Sequence, residues 1–348
     1  MEPHDPGSPG EPARFEVGGN VFYNCDCILG AREFVAENSV DLVICDPPYG
    51  IRGDKLHRHY NRSEEFVVDG YVEVAEPDYG EFSARWIREA ERILRPGGSI
   101  YIVSGYTNLY HVLHALRETR LEEVNHVIWK YNFGVFTRQK YVSSHYHVLF
   151  YQKPGGRRTF NLEARYGLGE RAEGGGSLNY RDREDVWTIN REYKPGREKN
   201  KNELPTALLA KMIQYSSDEG ETVCDLFLGG FSTAITAIGL NRRAIGFEVS
   251  PRIFERRTRE ISALIPGFLL PGARRPVRGP AGRRGQAWTA DETERLLREY
   301  GRLRAQGWGK GAAVERLGSE FGRGRWSIER VLKRAHPPGG PSPGPGGG

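Results

Sequence analysis

Four consecutive residues, Asp46-Pro47-Pro48-Tyr49, hold the densest chemistry in the chain, and they follow the apolar run Val40-Asp41-Leu42-Val43-Ile44-Cys45 without a break. An extended run that meets two prolines must leave its sheet there, because proline has no N–H for the ladder and its ring fixes φ near about −65°. The outcome is a carboxylate, a carbonyl and an aromatic ring together at the carboxyl end of a strand, where open α/β sheets bind their ligands. Such a set can accept hydrogen bonds from an amine and stack on a planar ring. Asp and Pro also build ordinary turns, so these four residues alone leave a plain turn open.

A second stretch could bind what the first acts with. Glu221 to Phe227 predicts a strand, Leu228-Gly229-Gly230-Phe231-Ser232-Thr233 leads into a helix from Ala234 to Leu240, and the strand Arg243 to Phe247 closes in Glu248. Glycines let the backbone approach a ligand closely, and the helix that follows points free N–H groups at a carboxylate. Glu248, at the end of the next strand and 23 residues after Asp225, can accept both hydroxyls of a ribose. The turn lacks the three spaced glycines of a dinucleotide site.

To position these residues the chain needs parallel strands, and its pattern supplies them. Asn20 to Asn24 predicts a strand, Gly30 to Glu37 a helix, and Val40 to Cys45 the strand before Asp46. Tyr79 to Arg95 has helical spacing in Phe82, Trp86, Ile87, Ala90, Ile93 and Leu94, and Pro96-Gly97-Gly98 ends it. A strand over 99–103, a helix over 107–118, and strands through 127–129 and over 145–151 continue the alternation. Helices over 206–215 and 251–264 bracket the second stretch. The predicted class is α/β with a mixed, mostly parallel sheet. Two long polar segments interrupt it: 50–76, with Arg52, Lys55, His57, Arg58, His59 and Arg62, and 153–202, rich in Gly, Arg and Tyr and including Arg181. Loops of that length in an α/β enzyme serve substrate recognition or are plain surface insertions.

With 348 residues and 38% hydrophobic content the chain can bury a large core. No run approaches the roughly 18 apolar residues that cross a bilayer, and the start lacks a signal peptide's features, so no membrane association and a cytoplasmic location (nuclear in a eukaryote) are the expectation. Four cysteines make no disulfide framework; the Cys25-x-Cys27 pair could hold metal, but Cys45 and Cys224 lie in apolar runs where thiols pack as small hydrophobes, and no metal is expected.

The net charge of +5 is uneven: residues 271–336 carry 16 Lys and Arg against 7 Asp and Glu, a net +9, which leaves the remainder at −4. A local excess of that kind is the footprint of a polyanion binder. Residues 1–13 and 336–348 read as disordered, and 266–287 as a flexible basic linker. Between them Thr289 caps a helix with Leu296, Leu297, Tyr300 and Leu303 on its apolar side, and helices over 309–321 and 325–335 follow.

Taken together, the two stretches resemble the S-adenosylmethionine-dependent amino-methyltransferases of DNA, whose catalytic motif is Asp/Asn/Ser-Pro-Pro-Tyr/Phe/Trp. Asp46-Pro47-Pro48-Tyr49 matches it in full, Asp225-Leu226-Phe227-Leu228-Gly229-Gly230 is similar to the cofactor motif, and Asn202-Glu203-Leu204-Pro205 to the element before the cofactor strand. The catalytic motif comes first, as in the permuted class called beta. The resemblance spans about 15–265 and implies a Rossmann-like methyltransferase domain over 14–265, with 153–202 as a recognition insert. It implies Asp46, Pro47, Pro48 and Tyr49 as catalytic residues. It implies a cofactor site made by Asp26, Asp225, Phe227, Gly229, Gly230, Ser232, Glu248, Asn202, Leu204 and Pro205. The turn departs from the family's Gly-Ser-Gly, with Phe231 in place of the second Gly, and Leu204-Pro205 replaces Lys-Pro. Asp in the first motif position is more usual in adenine N6 enzymes than in cytosine N4 enzymes. Cytosine, RNA or a protein glutamine as acceptor, and a catalytically dead DNA-binding adaptor, stay open.

Residues 288–335 are similar to Myb/SANT helix-turn-helix domains, in which spaced tryptophans (here Trp288, Trp308 and Trp326) form the core and the third helix reads DNA. That implies Arg323, Arg325, Arg330, Lys333 and Arg334 at phosphate or the major groove, with Arg52, Lys55, Arg58 and Arg181 as DNA contacts of the larger domain. The implied partners are double-stranded DNA and S-adenosylmethionine. A restriction–modification setting is the expected context; a homodimer stays open, and so does a protein-contact role for the three C-terminal helices in place of DNA reading.

Overall fold

The computed structural model describes residues 12–48, 74, 76–132, 134, 138–192, 203–276 and 287–335. The chain divides into two compact units, Met1–Tyr166 with Tyr180–Arg275 and Gly167–Asn179 with Pro276–Gly348.

The first unit is built on strands β1 (Ala13–Val17), β2 (Asn20–Asn24), β3 (Val40–Cys45), β4 (Leu94–Ser104), β5 (Glu122–Lys130), β6 (His145–Gln152), β7 (Val186–Thr188), β8 (Thr222–Asp225) and β9 (Arg243–Phe247). They form one sheet in the order β1-β2-β9-β8-β3-β4-β6-β5-β7. The pairs β2·β9, β9·β8, β8·β3, β3·β4 and β5·β7 are parallel, whereas β1·β2, β4·β6 and β6·β5 are antiparallel. This is the mixed, mostly parallel sheet that the sequence predicts. Its helices are α1 (Cys27–Phe34), α2 (Tyr79–Ile93), α3 (Leu109–Arg117), the part of α4 (Leu178–Asp182) from Tyr180 on, α5 (Thr206–Ser216), α6 (Ser232–Gly239) and α7 (Pro251–Ser262).

The central strands are apolar on both sides because both sides are covered. Side chains alternate along a strand, so Leu42 and Ile44 join one core with Leu208 and Met212 of α5, Ala234 of α6 and Phe254 of α7. Val43 and Cys45 join the other with Ile28 of α1, Trp86 and Ile87 of α2, and Val112 and Leu116 of α3.

The structure departs from the sequence reading in several places. α1 starts at Cys27 rather than Gly30, because the Asp26 carboxylate accepts the N–H groups of Ile28 and Leu29, both at 3.0 Å, and so sets the helix start. β1 begins at Ala13, inside the stretch read as a disordered tail, and pairs along its whole length with β2. β4 begins at Leu94, before Pro96-Gly97-Gly98, not after it. There Gly97 (φ 80°) donates to the Lys153 carbonyl at 2.8 Å and Lys153 returns a bond to Gly98 O at 2.9 Å, which draws a helix-stop signal into the sheet. The linker expected from 266 starts later: Gly267 and Leu269 donate to the carbonyls of Ile238 and Gly239, both at 2.9 Å, and Leu269, Leu270 and Ala273 pack on the core.

In the second unit, α8 (Ala290–Ala305), α9 (Lys310–Phe321) and α10 (Arg325–Ala335) enclose Leu296, Leu303, Val314, Leu317, Ile328 and Leu332. Thr289 and Glu292 form a reciprocal capping box at the start of α8. The expected tryptophan core is not what holds these helices. Trp288 packs on the cluster and donates to Ser327 Oγ at 2.9 Å, but Trp308 is 39% exposed and Trp326 is 79% exposed. Aliphatic residues do the packing instead.

Candidate active site

The parallel run β2, β9, β8, β3, β4 brings five strand ends to one edge of the sheet. The register pairs Leu42 with Val223 and Val43 with Cys224, and Asp225 with Gly246. Extended beyond the strands, it brings Asp46, the residues after Asp225, and Glu248 to one level. Strands lie about 4.8 Å apart, so the ends of β3 and β9, with β8 between them, are about 10 Å apart. The stretches that sequence separates by about 180 residues therefore share one rim.

Asp46 is half-buried and Pro47 buried as the chain leaves β3. The Pro48 carbonyl accepts a hydrogen bond of 2.9 Å from the hydroxyl of Tyr79, a residue 1% exposed at the start of α2. Tyr79 is itself held: Ser83 Oγ donates to its carbonyl at 2.7 Å, and its ring meets the edge of His111 at 6.0 Å. Sequence reading did not find Tyr79; nothing local marks a contact made 31 positions away. Tyr49, the fourth residue of the motif, lies outside the described residues, as do Asn202, Arg52, Lys55 and Arg58.

At the end of β8, Asp225 is turned inward. Its Oδ1 accepts the Phe227 N–H at 2.9 Å, Thr233 adds a side-chain hydrogen bond, and burial pushes its carboxyl up to about 6. Its place is thus to shape the turn. Phe227 stands edge-on to Trp86 at 5.3 Å and stays half-buried. Gly229 takes φ 47°, and a side chain there would meet only the Phe227 carbonyl, at 3.8 Å, so that face of the turn is open. A Cβ on Gly230 would overlap the carboxylate of Glu203, which Arg257 holds as an ion pair. Phe231 adopts φ 61°, a left-handed geometry that costs a non-glycine residue on the order of 1 kcal/mol. Its fully buried ring, 5.4 Å from Phe22 and 6.3 Å from Phe254, offsets that cost. Phe231 has no oxygen with which to cap α6, so Ser232 opens a helix whose first turn lacks a side-chain cap.

Glu248 is 7% exposed. Its Oε1 accepts the Ser250 N–H at 2.8 Å and the carboxylate takes a further bond from the Gly229 N–H, yet burial outweighs both and pushes it up to about 7. Asn24 donates to its carbonyl at 2.6 Å and its N–H reaches Tyr23 O at 3.0 Å, so β2 fixes the acid from its other side. Asp26 lies just beyond the end of β2 as the cap of α1. Leu204 and Pro205 are buried where α5 starts, and Glu192 accepts the Thr206 N–H at 2.8 Å. Asn24 and Arg257 join the site from sequence positions that carried no motif, and Glu203 joins it from within the Asn202-Glu203-Leu204-Pro205 element. The set fits an adenosyl cofactor with an amino-acid end: a buried acid with acceptor capacity for a ribose, an open glycine turn, and an uncapped helix start for a carboxylate.

Among the residues expected at DNA, Arg181 is exposed on α4. Arg323 is corrected. Its side chain is 2% exposed, pairs with Glu292 at 2.8 Å, donates to Ala287 O at 3.2 Å and lies 4.5 Å over the Trp288 ring. It therefore ties the start of α8 to the α9–α10 turn and faces no solvent. Arg325 is exposed but paired with Glu329 at 2.9 Å, whereas Arg330, Lys333 and Arg334 stand exposed.

Known proteins of this architecture agree with the geometry. The chain is 28% identical over 251 residues to the Type II methyltransferase M.HpaI of Haemophilus parainfluenzae, covering 70% of this chain and 75% of that one. It is 26% identical over 257 residues to the Type II methyltransferase M.HinfI of Haemophilus influenzae, covering 70% and 69%. Among solved structures it superposes with a TM-score of 0.50 on a candidate DNA modification methylase of Thermus thermophilus complexed with S-adenosyl-L-methionine, at 24% identity over 70% of this chain and 95% of that one. With the cytosine-N4-specific PvuII DNA methyltransferase the TM-score is 0.53, at 14% identity over 76% and 94%. At these identities the two structures speak for a shared fold. The family model of DNA methylases acting at N6 or N4 matches residues 40–259, from β3 into α7, and by that match the chain belongs to the N6/N4 DNA methylase family.

Proposed function

We propose that this chain transfers the methyl group of S-adenosylmethionine to the exocyclic N6 amine of adenine in double-stranded DNA. The observation that carries the reading is the adjacency of β3, β8 and β9, which sets Asp46 beside the Gly229 turn and Glu248. When bound, the cofactor supplies a sulfonium methyl, and the ribose hydroxyls would donate to Glu248. An exocyclic amine is a poor nucleophile because its lone pair is delocalised into the ring. Asp46 and the Pro47 carbonyl accept its two N–H bonds, which favours a tetrahedral nitrogen with its lone pair aimed at the methyl. In the transfer the new N–C bond forms as the S–C bond breaks, the bonding pair leaves with sulfur, and the extra proton on nitrogen passes toward Asp46 or water. Tyr49 is assigned to stacking on the flipped base.

The choice of adenine rests on Asp rather than Ser in the first motif position. The motif order supports assignment to the permuted beta class. The three C-terminal helices are assigned, as a Myb/SANT-like module, to a second contact with DNA. Nucleoside analysis of DNA from a methylation-free host that expresses the chain should show N6-methyladenine; N4-methylcytosine would overturn the adenine assignment, and no methylated nucleoside would overturn the enzyme reading. Asp46→Ala should abolish transfer while leaving S-adenosylmethionine affinity within about twofold by calorimetry, because Asp46 acts on the acceptor alone.

A further inference from the structure

Two consecutive residues that no motif marks, Arg191 and Glu192, tie the end of β5 and the start of β6 to the start of α5. Just past β7, Ile189 donates to the Lys130 carbonyl at 3.0 Å and accepts the Trp129 indole N–H at 2.8 Å, so the chain leaves β7 stitched to β5. Arg191 then sets its guanidinium against three rings at once, 5.7 Å from the centroid of Trp129, 4.8 Å from Tyr131 and 5.3 Å from Tyr146. Those rings stand 5.5 to 5.6 Å from one another and form a three-walled cage. Such a cage suits a flat guanidinium, which stacks on aromatic faces as an ammonium does not. The next side chain, Glu192, is exposed and reaches α5 from 14 positions away: its Oε1 accepts the Thr206 N–H at 2.8 Å and its Oε2 the Thr206 hydroxyl at 3.1 Å. Pro205, in the cap position of α5, makes no side-chain bond, so Glu192 supplies the cap from another segment.

The start of α5 is also where the chain meets the cofactor turn. Leu204 and Pro205 are buried there, and the Glu203 carboxylate lies so close to Gly230 that an added Cβ would come within 2.1 Å of it. A continuous set of contacts therefore runs from the β5–β6 end of the rim, through Arg191 and Glu192, to the Gly229-Gly230 turn. We propose that Arg191 and Glu192 are positioning residues that couple binding of the acceptor duplex at the β5–β6 end to binding of S-adenosylmethionine at the turn. The proposal rests on the reading that the chain methylates DNA. Glu192 holds the start of α5, and with it the cofactor element, whether or not DNA is bound. Arg191 carries the coupling, because it is adjacent to Glu192 in the chain and its guanidinium follows the cage. An acceptor held at the ends of β5 and β6 restricts the strands that bear the cage, so the start of α5 is ordered before the cofactor arrives. The coupling is reciprocal, and the cofactor tightens the duplex by the same factor. A purely structural tie would instead change cofactor affinity equally with and without DNA.

The test uses the full-length protein, with S-adenosylhomocysteine, which has no methyl to transfer, as the cofactor probe. The acceptor is an unmethylated duplex containing a site that the chain methylates in a host. Calorimetry gives the affinity for the probe with and without saturating duplex. In the wild type the duplex should tighten the probe about tenfold. Arg191→Ala should keep the duplex-free affinity within about twofold and lose the tightening, and Arg191→Lys, which retains the charge but not the flat stacking surface, should lose it too. Glu192→Ala should weaken the probe about fivefold without DNA, and Glu192→Gln, which keeps an acceptor for the Thr206 N–H, should recover most of that loss. Melting temperatures identify any loss of fold, and Arg191→Lys and Glu192→Gln carry the test should an alanine variant not fold. No tightening in the wild type would overturn the proposal, as would full tightening in either arginine variant or wild-type affinity in Glu192→Ala. Methyl transfer to the same duplex is measured in parallel. Tightening that is absent from a wild type able to transfer methyl removes this inference alone; a wild type that binds no probe and transfers no methyl removes the enzyme reading, and this inference with it.

Discussion

Glu248 shows how a single residue couples charge, stability and ligand binding. Its carboxyl is pushed up to about 7, so between the ordinary carboxylate range and about 7 the folded protein keeps a proton that the unfolded chain has released. Stability from this group is therefore present at low pH and is lost as pH rises through that window, in the same direction as the smaller contribution of Asp225, raised to about 6. A ribose that donates to the ionised carboxylate favours the charged form. The thermal shift produced by S-adenosylmethionine should thus grow from pH 5.5 to 8, and Glu248→Gln should flatten the profile and weaken binding; a parallel profile in wild type and variant would remove Glu248 from ribose recognition. Tyr79 is a residue of the other kind, acting through its neighbours. By holding the Pro48 carbonyl it fixes the one torsion of the two prolines that neither ring nor pre-proline sterics restrict, and with it the direction in which the chain leaves for Tyr49. Tyr79→Phe removes one hydrogen bond, about 1 kcal/mol, so turnover should fall about fivefold with cofactor affinity unchanged. The fluorescence of 2-aminopurine at the target position should show impaired base flipping, and unchanged kinetics would make Tyr79 a packing residue only.

At the scale of elements, the sequence was most legible where period and burial agreed. Val40 to Cys45, Asn20 to Asn24, Arg243 to Phe247 and the third C-terminal helix appear with the expected bounds, because apolar alternation and clean breakers coincide there. It was least legible where a contact distant in sequence decided. Pro96-Gly97-Gly98 ends helices in isolation, yet two hydrogen bonds with Lys153 make it strand. Trp326 reads as core by type, and only packing shows that Leu296, Val314 and Leu332 fill that space. The acid, glycine and proline positions of the site were legible because each is a backbone requirement; Tyr79, Asn24 and Arg257 were not, because they act across elements. The cofactor turn yields a prediction at this scale. Gly230 sits where a methyl group would displace Glu203 from Arg257, so Gly230→Ala should shift the start of α5 against the turn. Cofactor affinity should fall at least tenfold in calorimetry, more than the stability change explains; full affinity would show that Glu203 gives way freely.

Over the whole molecule, charge divides along the sequence. The chain outside 271–336 carries a net −4 and holds the buried acids Asp225 and Glu248, whereas 271–336 carries +9. The two units have separate cores, so removal of residues 287–348 should leave methyl transfer at saturating DNA within about twofold while raising KM for DNA at least tenfold at 0.15 M salt. Loss of turnover at saturation would show that the second unit does more than hold DNA. Within the sheet, β6 runs against its neighbours β4 and β5. Its reversal brings the start of β6, opposite Lys130 at the end of β5, to the same rim as Asp46, and the almost fully exposed Tyr141 lies on the connection between them. The rim thus has a conservative half and a permissive half. Strand ends on the β2, β9, β8 side are tied down by buried acids and interlocking backbone bonds, so substitutions there lose the methyl donor. On the β6, β5 side the connection can lengthen or change composition without disturbing one of those bonds, so a lineage could acquire a new recognition sequence there while its chemistry stayed fixed.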